Sequence, residues 1–180
     1  MAMAESVVMQ RTDPTDPHTS SSVDQSLAGL RLHALEMGAL VIDQVAGAVR
    51  ALVENDTSLA HLVLARETRV DEYEKQLDRD SLTFIALQKP VANDLRLARA
   101  IVRISRELER AGDEAKKIAK GVRRIYEAGQ MPSQYGIGVR HIAEAALGML
   151  HNALDAFARL DSQQAEQVIR ADVDVDTEFK

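Results

Sequence analysis

The chain has 180 residues, a net charge of -6 and no cysteine, which excludes a disulfide framework, thiolate metal sites and a cysteine nucleophile. It is 46% hydrophobic but only 3% aromatic, and an apolar set drawn chiefly from Ala, Leu, Val and Ile suits packed helices better than a sheet. The acidity argues against nonspecific nucleic-acid binding, and with no signal sequence and no run of about 18 apolar residues the chain reads as soluble and cytoplasmic.

Residues 1–22, with Pro14, Pro17 and the Ser20-Ser21-Ser22 run, show no apolar period and read as a flexible leader. From Val23 to Asn55 apolar residues recur at steps of three and four, including Leu27, Leu30, Val41, Val45 and Leu52, which predicts an amphipathic helix. Asp56 or Ser58 can cap a second helix, whose stripe of Leu59, Leu62, Val63, Val70, Tyr73, Leu77 and Phe84 runs to about Gln88. Pro90 then suits the start of a third, from Val91 to Ala128, tracked by Leu95, Ile101, Ile104, Leu108, Ala115, Ala119, Val122 and Tyr126. After a linker over residues 129–138, a fourth helix spans Val139 to Leu160. A fifth starts at Ser162, with Ala165, Val168, Ile169, Val173 and Phe179 apolar.

Sliding the sequence by 105 positions lays Asp56 on Asp161, Ala60 on Ala165, Val63 on Val168, Glu67 on Asp172, Asp71 on Asp176 and Lys75 on Lys180. Acidic positions match as well as apolar ones. The expected fold is therefore all-α, a tandem of three-helix units: residues 23–128 form the first, and residues 139–180 form a second that lacks its third helix. Two helices without that partner would dock on the first bundle or on another chain.

Charge is unevenly spread. Residues 89–124 hold 11 of the 22 Lys and Arg against five acidic residues, so this helix is locally basic. Within it, taking Leu108 as facing the core, Glu109 lies about 100° and Asp113 about 140° round the helix, side by side at the stripe's edge. Like charges four residues apart repel and call for a cation. A metal could supply it, since carboxylate oxygens suit magnesium, manganese, calcium or iron and a neighbouring helix can add ligands. So could side chains, with Lys117 four residues from Asp113 and Arg106 and Arg110 within a turn of Glu109. Spacing alone favours the side chains.

The run Gln88-Lys89-Pro90-Val91-Ala92-Asn93-Asp94-Leu95-Arg96, followed by Glu107-Leu108-Glu109-Arg110-Ala111-Gly112-Asp113, resembles the signature of the PhoU family. The resemblance covers roughly residues 24–180. It implies tandem three-helix repeats and a non-enzymatic, negative regulator of phosphate uptake and the phosphate-starvation response. Such a protein is an adaptor between the phosphate ABC transporter ATPase subunit and a sensor histidine kinase, acting at the inner face of the membrane and as a homodimer. It also implies a divalent or trivalent metal (magnesium, manganese, iron or zinc) on Glu109 and Asp113. Asp94, Arg96, Arg99 and Arg103 are candidate partner-binding residues.

Two departures limit the analogy. The family's second metal motif belongs to a sixth helix and would fall beyond Lys180, and Lys117 stands where many members carry Asn. Other functions fare worse. A di-iron oxidase needs Glu-x-x-His pairs, and none occurs. His33-Ala-Leu-Glu-Met-Gly38 is similar to a histidine phosphotransfer pattern, but Glu36 stands where a phosphate-holding cation is needed. A generic helical scaffold docking through the basic helix remains open.

Overall fold

The computed structural model describes residues 17–129 and 136–178. Among the described residues five helices follow one another: α1 (Pro17–Glu54), α2 (Thr57–Gln88), α3 (Ala92–Glu127), α4 (Gly136–Arg159) and α5 (Ser162–Glu178). Among the described residues there is no strand. Phe179, Lys180, residues 1–16 and residues 130–135 of the expected linker lie outside them.

Helices α1, α2 and α3 pack mutually as one bundle. Its larger core joins Leu30, Met37 and Val41 of α1 with Leu77 and Phe84 of α2 and Ile101 and Leu108 of α3. Towards the other end Ala48, Ala51, Ala60, Ala115 and Ala119 replace the large side chains, so the helices close on small residues around Val63 and Val122. By length and composition α1 could cross a membrane. Its apolar stripe is instead spent inside the bundle, where Ala34, Met37, Val41, Ala48 and Ala51 are fully buried.

Boundaries and stripes differ from expectation in a few places. Helix α1 begins at Pro17, ahead of Val23, and its Ser22 hydroxyl accepts a 3.4 Å hydrogen bond from Gln88 at the end of α2. A polar first turn can thus be helical when proline sets its φ and the neighbouring helix supplies a contact. Leu62, Leu95 and Tyr126, expected in apolar stripes, are exposed, as are Ile169 and Val173 of α5. At Leu62 the reason is local: Ala60 and Val63 take the inward positions, and the two residues between them, His61 and Leu62, point outward.

The 105-residue repeat is visible at the backbone. Asn55 and Leu160 both adopt the left-handed conformation, each with φ 54°. The next residues, Asp56 and Asp161, donate their N–H to Ala51 and Ala156 carbonyls at 2.9 and 2.8 Å. Each aspartate then caps the following helix: Asp56 Oδ1 accepts from Leu59 N at 3.0 Å, and Asp161 Oδ1 from Gln163 N and Gln164 N at 2.9 and 3.0 Å. The same corner is built twice.

Helix α4 packs on α1, and α5 packs on α4 alone among the described helices. Leu150, Leu154 and Phe157 of α4 extend the core of the first bundle. Gly38 permits this approach, because a Cβ there would meet Leu154 Cδ1 at 2.6 Å. Helix α4 thus docks on the first bundle through α1.

Candidate functional site

Gly112 of α3 faces Gln44 of α1 closely and Val70 of α2 at ordinary contact distance. A Cβ there would stand 3.1 Å from Gln44 Oε1 and 3.4 Å from Val70 Cγ1. The packing of α3 on α2 sets Glu109 and Asp113 at the groove between them, both half-buried. Three carboxylates of α2, Glu67, Asp71 and Glu74, are half-buried on the facing side. Their spacing of four and three residues puts them on one face of that helix.

The electrostatics show that these groups share a field. Burial raises the Glu109 carboxyl above its ordinary value, and Asp113, Asp71 and Glu74 push it further in that order, with Lys116 opposing. Lys116 is the local cation. Its ammonium bonds Glu67 and lies 3.4 Å from Asp113, and it is raised chiefly by the Glu67 hydrogen bond.

The cations expected to neutralise the pair are engaged elsewhere. Lys117 pairs with Glu114 at 2.7 Å, Arg110 with Glu107 at 2.8 Å, and Arg106 with Asp78 at 3.7 Å. Glu109 has no hydrogen bond or ion pair among the described residues.

Donor type and charge fit a hard cation: the groove offers carboxylate oxygens, one of them desolvated and unpaired. The side chains as placed do not form a closed cage, since no three His, Cys, Asp or Glu among the described residues are grouped to hold a metal. Lys116 itself bridges the two helices there, bonding Glu67 of α2 and lying 3.4 Å from Asp113 of α3. Sequence reasoning missed Glu67, Asp71, Glu74 and Lys116 as neighbours of the pair. The acidic spacing on α2 was the available signal.

The other candidates are dispersed. Asp94 lies half-buried in the first turn of α3, where a carboxylate complements the helix dipole. Arg96, Arg99 and Arg103 are exposed on a different face, and Arg96 donates to Asn93 Oδ1 at 3.1 Å. The structure thus separates Asp94 from the three arginines. His33 lines a groove of about 560 Å³ between α1 and α2 beside Glu36, whose carboxylate accepts from Tyr73 Oη at 3.3 Å.

The sequence pattern of the PhoU domain matches residues 34–122 and 139–180. A Pseudomonas putida protein described as a phosphate-specific transport system accessory protein PhoU homolog is 39% identical over 163 residues, covering 91% of this chain and 63% of that protein. The Pseudomonas aeruginosa protein of the same description is 38% identical over 172 residues, 96% of this chain and 71% of its own length. The chain thus spans about two thirds of the length of these relatives. The crystal structure of PhoU from Pseudomonas aeruginosa superposes with a TM-score of 0.81 at 38% identity, covering 87% of this chain and 74% of that one. With pattern, sequence and fold in agreement, the chain belongs to the PhoU family.

Proposed function

We propose that the chain is a negative regulator of phosphate uptake and of the phosphate-starvation response. It acts as a cytoplasmic adaptor between the phosphate ABC transporter ATPase and a sensor histidine kinase at the inner face of the membrane. The observation that carries this reading is the 38% identity, over 172 residues, to a relative described as an accessory protein of phosphate-specific transport. An accessory role calls for contact surfaces rather than a catalytic constellation, so the chain is read as a regulator and not an enzyme. A homodimer is the proposed assembly.

The same reading includes a metal, bound by Glu109 and Asp113 with help from Glu67 and Asp71 across the groove. Magnesium, manganese, iron and zinc are the candidates, and the all-oxygen donor set favours the harder ions. A bound cation would neutralise the repulsion that raises Glu109 and would tie α2 to α3.

Two measurements test the proposal. In cells lacking the native regulator, the chain should restore repression of a phosphate-starvation reporter at high phosphate; a reporter that stays fully induced overturns the regulatory reading. Manganese or iron should bind the wild type and be lost in Glu109→Ala/Asp113→Ala, and equal uptake by both proteins removes the metal assignment.

A further inference from the structure

Helix α3 turns a second charged surface to solvent, beside the acidic groove. Arg96, Arg99, Arg103, Arg106 and Arg110 follow one another at steps of three, four, three and four residues, and all five are exposed. On a 3.6-residue helix that spacing aligns them in one stripe about 21 Å long, opposite the buried Ile101, Ser105 and Leu108. Arg96, Arg99 and Arg103 have no acidic partner among the described residues. Arg106 meets Asp78 only at 3.7 Å, and the Arg106 and Arg110 side chains are 64% and 73% exposed. Arg110 pairs with Glu107 at 2.8 Å, so among the described residues three of the five guanidinium groups lack an acidic partner and the other two stay largely exposed.

We propose that this stripe is a docking strip for an acidic helix of a partner protein. The inference deepens the regulatory reading, on which it rests, by naming the surface and the chemistry of what it meets.

Width and composition select this occupant. The strip is one side chain wide, and along its second half, at Arg106 and Arg110, carboxylates border it on both edges. Glu107 and Glu114 lie along one edge by helix periodicity, and Asp113, Glu109 and Asp78 lie on the α2 side. A flat anionic bilayer or a nucleic-acid duplex would press its phosphates against those borders as well as against the arginines. A single helix with Asp or Glu at steps of three and four would meet the stripe alone, at matching pitch. Arginine at all five positions suits carboxylates, because a planar guanidinium grips two oxygens at once. No aromatic side chain lies in the stripe to stack on a base.

The test uses the full chain and a labelled, alanine-rich helical peptide of about 21 residues with Glu at steps of three and four. Fluorescence anisotropy at near-physiological salt should show saturable binding, weakened about tenfold or more in R96E/R99E/R103E. A peptide with the same number of Glu spread round the helix should bind several-fold more weakly, and replacing the three arginines by lysine should cost several-fold. Unchanged far-ultraviolet circular dichroism verifies the fold, and if the triple variant does not fold, R99E and R103E singly should each weaken binding about threefold.

Equal affinity of wild type and reversed variant overturns the proposal, as does equal binding of the two peptides. It is also overturned if phosphatidylglycerol vesicles or duplex DNA bind through the strip while the peptide does not, or if the reversal converts a dimer to a monomer. A chain that represses the reporter but ignores the peptide sinks the strip alone. One that binds the peptide but leaves the reporter induced sinks the regulatory reading alone.

Discussion

Lys116 fills the α2–α3 groove beside the acidic pair, so the proposed metal would have to compete with it, and that competition can be measured. Replacing Lys116 by Gln removes the ammonium that bonds Glu67 and neighbours Asp113, freeing both carboxylates. If metal binds there, Lys116→Gln should raise manganese affinity several-fold by calorimetric titration, whereas Lys117→Gln, whose cation is held by Glu114, should change it little. Glu109 makes a second prediction. Its folded pKa is raised, so the native state holds the proton more tightly than the unfolded chain, and its charge costs stability above the folded value. Glu109→Gln should therefore stabilise the metal-free protein at pH 7, by about 0.2–0.5 kcal/mol for the lost like-charge pair. The gain should fade as pH falls through the raised pKa, and vanish once the carboxyl is protonated in folded and unfolded chain alike. Melting temperatures measured against pH check both sign and window. Inside the bundle, Gln44 is 1% exposed with both amide atoms unpartnered. Gln44→Leu should raise stability by about 1–3 kcal/mol in denaturant unfolding, because an unmet buried amide is replaced by an apolar group of similar size.

At the scale of the helices, the duplicated corner carries the clearest expectation. Leu160 occupies a left-handed position that Asn55 fills in the first copy, and its side chain is exposed, so it gains little from burial. Leu160→Gly should stabilise the second corner by about 0.5–1 kcal/mol, since glycine avoids the Cβ penalty but gives back part of the gain as unfolded-chain entropy. The matching loss comes from the cap: Asp56→Ala should cost about 1 kcal/mol by leaving the Leu59 N–H without its acceptor. Thermal denaturation of the two variants reads both effects. These corners were legible in the sequence, because Asn55-Asp56 combines a residue tolerant of positive φ with a capping side chain and the 105-residue offset repeats the aspartate. The start of α1 was not. Ser20, Ser21 and Ser22 carry no apolar period, and the contact across the bundle between Ser22 and Gln88 is not visible in one helix's sequence. Burial of single stripe positions was also hidden, as Leu62 shows, because a patch of apolar residues does not say which of two neighbours points inward.

For the whole molecule, the all-α class followed from an aromatic-poor, alanine- and leucine-rich composition read with a period near 3.6. The place of Glu109 and Asp113 at the edge of the apolar stripe was legible for the same reason. Their neighbours were not, because Glu67, Asp71 and Glu74 belong to another helix and their nearness to α3 depends on how the two helices pack. Sequence spacing reports one helix at a time, and the groove is a property of two.

The arrangement in which α5 rests on α4, and α4 on α1, makes the molecule a series rather than a single block. Opening at the outer end need not disturb the acidic groove, which belongs to α2 and α3. Deuterium uptake should therefore be graded, fastest in α5, slower in α4 and slowest in the first bundle. The groove and the arginine strip would then stay ordered while the outer helices breathe, and a partner gripping the far end could loosen it without disturbing either surface.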